Sequence, residues 1–141
     1  MMKLGFGGSR SLKGEEVRDI IADVIEKYKP GVIVTCGEPE GVCEEVRRYC
    51  RYSRKGLTLL LYHLPIEDKA TGAYHYRNKA VIEASDRLVF IHDGSSRGTQ
   101  NEIELAEEAG REYDYFRLDA AAENDFSVPE VEIELDENRL A

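Results

Sequence analysis

Short apolar runs alternating with helix-length amphipathic stretches are the feature that most restricts what this chain can become. Residues 3–6, 32–35, 57–61, 87–91 and 113–118 have the length and residue types of strands. Between the first two, Val17, Ile20, Ile21, Val24, Ile25 and Tyr28 recur at helical spacing, and Pro30-Gly31 stops the helix. Val42, Cys43, Val46, Tyr49 and Cys50 share a face over residues 41–52, as Ala73, Tyr76, Ala80, Val81 and Ala84 do over 73–85. A last helix is expected from Thr99, with Thr99-Gln100-Asn101-Glu102 as a capping box, to Gly110. Strict alternation predicts an α/β fold: a three-layer, doubly wound, mainly parallel sheet of five strands in the order 3-2-1-4-5.

In such a sheet a ligand lies beyond the carboxyl ends of the strands, where the strand order reverses. For this order the reversal falls between strands 1 and 4. The loops there are Gly7-Gly8-Ser9-Arg10 and Asp93-Gly94-Ser95-Ser96-Arg97-Gly98-Thr99. Glycine lets backbone N–H groups approach an anion, and the following helix N-terminus adds partial positive charge worth about 0.3–1 kcal/mol. Topology makes neighbours of the two loops best suited to hold phosphate.

Charge sharpens this reading. Of the nine net negative charges, seven lie in residues 119–141, where eight acids face Arg139 alone; residues 1–118 carry only two. Residues 1–118 are thus expected to form one domain, followed by an acidic tail in which Val131, Ile133 and Leu135 alternate with acids, the pattern of an edge strand over 130–136. An acidic chain is a poor coat for nucleic acid. The stretch 47–55 does interleave bases with aromatics. It falls at a helix C-terminus, where the dipole favours cations, and Glu44 and Glu45 precede Arg47 and Arg48 at pairing distance.

Other chemistries find little footing. Arg10 takes the third glycine position of a dinucleotide fingerprint, and Cys36 ends strand 2 where an acid would read ribose, which disfavours NAD. No Gly-Lys pair exists for a Walker loop. Gly94-Ser95-Ser96-Arg97-Gly98 has the form GxSxG, but no histidine follows it to complete a hydrolase triad. Three cysteines seven residues apart and three scattered histidines lack metal-ligand spacing, so neither metal nor cofactor is expected. No run nears the roughly 18 apolar residues of a membrane span, and no signal peptide is visible, so a cytoplasmic domain with reduced thiols is expected.

Taken in order, Gly7-Gly8-Ser9-Arg10, Gly37-Glu38-Pro39-Glu40-Gly41, Arg77-Asn78 opening the third helix, Ser85-Asp86, and the loop from Asp93 to Thr99 resemble the SLOG superfamily over residues 3–118. That group holds Rossmann-like nucleotide-binding proteins of the YspA type, the DNA-processing protein DprA, and the LOG phosphoribohydrolases. The resemblance implies a Rossmann-like domain, in a homo-oligomer, binding a nucleotide or nucleotide-derived ligand with its phosphate on Gly98-Thr99. Gly98-Thr99-Gln100-Asn101-Glu102 keeps the GTxxE part of the LOG motif, and Arg77 stands at the spacing of the LOG catalytic arginine before Asp86. By that likeness Glu102 would stabilise oxocarbenium charge and Arg77 would orient phosphate or leaving base. The loop after strand 4 is two residues longer than the LOG loop, and Cys43 stands where YspA-type members often carry an acid.

The expected ligand wall is Gly7, Gly8, Ser9 and Arg10, with Gly37 and Gly41 nearby. The phosphate cradle is Gly94, Ser95, Ser96, Arg97, Gly98 and Thr99, approached by Arg77 and Asn78. The segment 62–72 is long enough to serve as a lid. Three functions follow: a nucleotide sensor, a nucleoside 5′-monophosphate N-glycosidase using Glu102 and Arg77, and a DprA-like DNA-binding protein using the 47–55 patch.

Overall fold

The glycine-rich first run becomes the central strand of the sheet, and its composition explains why helices can pack so closely on one side. The computed structural model describes residues 1–53, 56–64 and 72–119. Their elements run β1 (Lys3–Gly8), α1 (Glu15–Tyr28), β2 (Val32–Cys36), α2 (Val42–Tyr52), β3 (Thr58–Tyr62), α3 (Ala73–Ala84), β4 (Arg87–His92), α4 (Arg97–Glu108) and β5 (Glu112–Arg117). The five strands form one sheet in the order β3-β2-β1-β4-β5, parallel throughout, as the alternation predicts. Gly5 pairs with Leu88 and Gly7 with Phe90, which fixes the register of β1 against β4.

Side chains leave each strand alternately to the two faces. Leu4, Phe6, Val89 and Ile91 pack with Val17, Ile21 and Val24 of α1 and Val42 and Val46 of α2. Leu88 and Phe90 face the other way, against Ile82 of α3 and Ile103 and Ala106 of α4. Both faces of the central strands are covered, so they read as continuous apolar runs. On the α3/α4 side β1 offers Gly5 and Gly7 beyond the exposed Lys3. A Cβ on Gly5 would strike the Ser85 side chain, and one on Gly7 would strike the Glu102 carboxyl. Each Phe, Leu or Ile fully buried in these layers contributes about 1.5–3 kcal/mol.

The start of α4 departs from the sequence expectation. Ser96, not Thr99, is the N-cap, its Oγ accepting the Thr99 N–H at 3.4 Å, and the helix begins at Arg97. Thr99 therefore sits inside the first turn, and Glu102 is no capping acid. The capping-box pattern fits only the threonine frame, since Ser96 is followed three residues on by Thr99; the turn that ends β4 nevertheless starts the helix one turn earlier. Among the described residues no helix is long and apolar enough to cross a membrane. The expected edge strand at 130–136, most of the 62–72 segment, and Arg54 and Lys55 lie outside the described residues.

Candidate functional site

A cavity of about 390 Å³ opens at the carboxyl ends of β1, β2 and β4. Its position follows from topology: α2 leaves the sheet from β2 on one face, α4 leaves from β4 on the other, and the strand ends stay uncovered between them. Eight of the expected site residues line it, namely Gly8, Arg10, Arg77, Asn78, Ser96, Gly98, Thr99 and Glu102. Ser11, Cys36, Glu38, Cys43, Tyr74 and Asp93 complete the wall.

One side is a cationic clamp. Glu38, in the turn after β2, receives Arg77 Nη1 at 2.7 Å on Oε1, and Arg10 Nη2 and Nε at 2.9 Å on Oε1 and Oε2. Both guanidinium groups also lie over the Tyr74 ring, at 5.7 Å for Arg10 and 5.2 Å for Arg77. Burial alone would raise the Glu38 pKa; the two arginines outweigh it and hold the carboxyl below its usual range. The Arg77 side chain is only 9% exposed, and its buried Nε has no hydrogen-bond partner among the described residues. Arg77 lines the cavity, and a guanidinium there can bind an entering anion through charge-assisted hydrogen bonds. Arg77 and Asn78 lie in the second turn of α3 rather than at its opening. Asn78 links Arg77 to Asn101 of α4, at 3.2 and 3.3 Å.

The opposite side is the loop after β4, where much of the expected cradle is already engaged. Asp93 Oδ1 accepts the N–H groups of Ser95 at 2.8 Å and Ser96 at 2.7 Å, and Oδ2 accepts Ser11 Oγ at 2.7 Å. Burial opposes ionisation of Asp93, but these hydrogen bonds prevail and lower its pKa to about 2. An internal carboxylate thus occupies donors assigned to phosphate. Within the first turn of α4, the N–H groups of Arg97 and Gly98 have no partner among the described residues. The anion subsite narrows to the Gly98 end of the helix. Gly94, Ser95 and the exposed Arg97 side chain are not in the cavity wall, and Gly94 packs instead beside Arg117.

Ser9, read as a ligand contact, is buried and ties the loops together. Its Oγ accepts the Asp93 N–H at 3.0 Å and lies 3.2 Å from Thr99 Oγ1, while its carbonyl accepts from Leu12 and Val42. Gly41 is the α2 N-cap at φ 86°, pressed against the Ser9–Arg10 backbone, where a side chain would be both strained and blocked. Gly7 touches Glu102 from beneath rather than facing a ligand. Gly37 lies in a neighbouring cleft of about 180 Å³ that shares Glu38, Tyr74 and Arg77 with the main cavity.

Glu102 stands at the cavity floor. Burial pushes its pKa well above the usual carboxylate value, Cys36 and Glu38 add to the rise, and Arg77 offsets only part of it. No hydrogen bond or ion pair among the described residues holds its carboxyl. Burial thus favours the protonated acid over the carboxylate at this position. Cys36 and Cys43 form a second unusual pair in the wall, their Sγ atoms hydrogen-bonded at 3.2 Å. The proposed basic patch is partly dismantled: Arg47 is buried, with Nη1 on the Cys36 carbonyl at 2.8 Å, and Arg48 is paired with Glu44 and Glu45.

Fold and site together define a Rossmann-like α/β domain with a cavity at its topological switch point whose wall includes charged side chains. Models of known protein families and the curated proteins provide no match to the sequence.

Proposed function

We propose that this domain binds a nucleotide or a related phosphorylated small molecule in the β1/β4 cavity, in keeping with the likeness to the SLOG superfamily. The observation that carries the reading is Arg77: a largely buried guanidinium lining a switch-point cavity and held in place by Glu38. Phosphate would sit between Arg77 and the Gly98 end of α4. The charge inventory favours a small anion. Two cations, Arg10 and Arg77, face two carboxylates, Glu38 and Asp93, and burial disfavours a charge on Glu102. A monophosphate brings less charge against Asp93 and Glu38 than a triphosphate would. Those carboxylates are suited to accept ribose hydroxyls.

Calorimetry with nucleoside 5′-monophosphates, against an Arg77→Ala control, tests this reading. A second reading, a nucleoside 5′-monophosphate N-glycosidase, draws on Glu102. Its raised pKa suits a general acid that protonates the departing base better than an anion that stabilises an oxocarbenium ion. Chromatography of incubated monophosphates would show free base, lost in Glu102→Gln, if that chemistry operates.

A further inference from the structure

Cys36 ends β2, Cys43 lies in the first turn of α2, and the turn between them brings both side chains to the cavity wall. The Sγ atoms are 3.2 Å apart. A disulfide needs about 2.05 Å, so the sulfurs must approach by only about 1.2 Å to bond. The third cysteine, Cys50, is half-buried further along α2 and does not line the cavity. We propose that Cys36 and Cys43 are a redox-active dithiol that closes to an intramolecular disulfide when a small-molecule disulfide enters the cavity.

The two thiols have different parts. The hydrogen bond with Cys43 is the largest influence on Cys36; with the Arg77 charge it outweighs burial and brings the thiol down to about 7. The same contact and burial push Cys43 well up. Cys36 is thus partly thiolate at neutral pH, where an attacking thiol is most effective, and Cys43 is the resolving thiol. Cys36 Sγ attacks one sulfur of the entering disulfide, forming a mixed disulfide and expelling one thiolate, which takes up the proton Cys36 had released. Cys43 then loses its proton and attacks Cys36 Sγ, expelling the second thiol. The chain loses two hydrogens, and the small disulfide is reduced to two thiols. Closure also removes the Cys36 thiolate charge beside Arg77 and Glu102, which places redox state within reach of whatever the cavity binds.

The test is to treat the folded full-length chain with dithiodipyridine at neutral pH and map the products by mass spectrometry. The tryptic peptide containing both cysteines should lose two hydrogens, carry no pyridylthio group, and regain its mass with dithiothreitol. Cys43→Ser should stop at a stable mixed disulfide on Cys36. Cys36→Ser should leave Cys43 reacting at least tenfold more slowly than Cys36 does. Separate stable adducts on Cys36 and Cys43 in the wild-type chain would overturn the proposal, as would a pair that reacts no faster than Cys50. Because the wild-type peptide gives the main readout, misfolding of a variant does not remove the test.

Discussion

Arg77 Nη1 lies 2.7 Å from Glu38 Oε1, joining α3 to the turn after β2 across the mouth of the cavity. Glu38 is shared with Arg10, so the arginines are held at fixed places before any ligand arrives. Such preorganisation lowers the ordering cost of binding. Arg77→Ala is expected to weaken nucleoside-monophosphate binding by about 1.5–3 kcal/mol, or roughly 10–150-fold in Kd, with the far-UV circular dichroism unchanged.

Gly7 and Glu102 form a second coupled pair. Gly7→Ala would drive a Cβ into the Glu102 carboxyl and should destabilise the domain by about 1–3 kcal/mol. Adding Glu102→Ala should recover part of that loss. A urea-denaturation double-mutant cycle measures it, with a coupling of about 0.5–3 kcal/mol expected and strict additivity contradicting the contact.

The pH dependence of Glu102 has a definite sign. Its pKa in the folded chain is raised above the usual 4.5, so the folded state holds a proton that the unfolded chain releases. Its contribution to stability is present below about pH 4.5 and is lost progressively as pH rises from there towards the folded pKa. Glu102→Gln should therefore stabilise the domain more at pH 7 than at pH 4, read as a difference in Tm.

Asp93 runs the other way. Its pKa falls from 3.8 to about 2 on folding, so its contribution is present above about pH 4 and disappears as pH drops towards 2. Asp93→Asn should flatten the loss of Tm across that window.

Ser96 and Thr99 separate two readings of the α4 start. Ser96→Ala removes the observed N-cap and should cost about 0.5–2 kcal/mol in chemical denaturation.

The architecture was legible because hydrophobic periodicity and strand–helix alternation act along the chain. Strand order and the place of the cavity followed from them. The sequence places Ser9 and Gly7 at the switch point, but their structural roles are not visible in it. Whether a serine meets a ligand or a neighbouring loop depends on contacts 84 and 90 residues away, at Asp93 and Thr99. Glu38 was missed as a site residue for the same reason: its significance comes from Arg10 and Arg77, which sequence spacing does not connect. Cys36 and Cys43 could have been paired only by knowing that the Gly37–Gly41 turn folds back on itself. The internal bonding of the Asp93 loop is not legible from spacing, because an aspartate preceding Gly-Ser-Ser can turn its oxygens onto the loop's own N–H groups, leaving fewer for phosphate.

The central claim is that the β1/β4 cavity takes a phosphorylated nucleotide through Arg77. Titration of a nucleoside 5′-monophosphate panel into the wild-type chain and Arg77→Ala by isothermal calorimetry tests it most directly. Saturable one-to-one binding of at least one monophosphate to wild type, weakened at least tenfold in Arg77→Ala, is the expected result. Absence of saturable binding by every monophosphate, or equal affinity in both proteins, would contradict it.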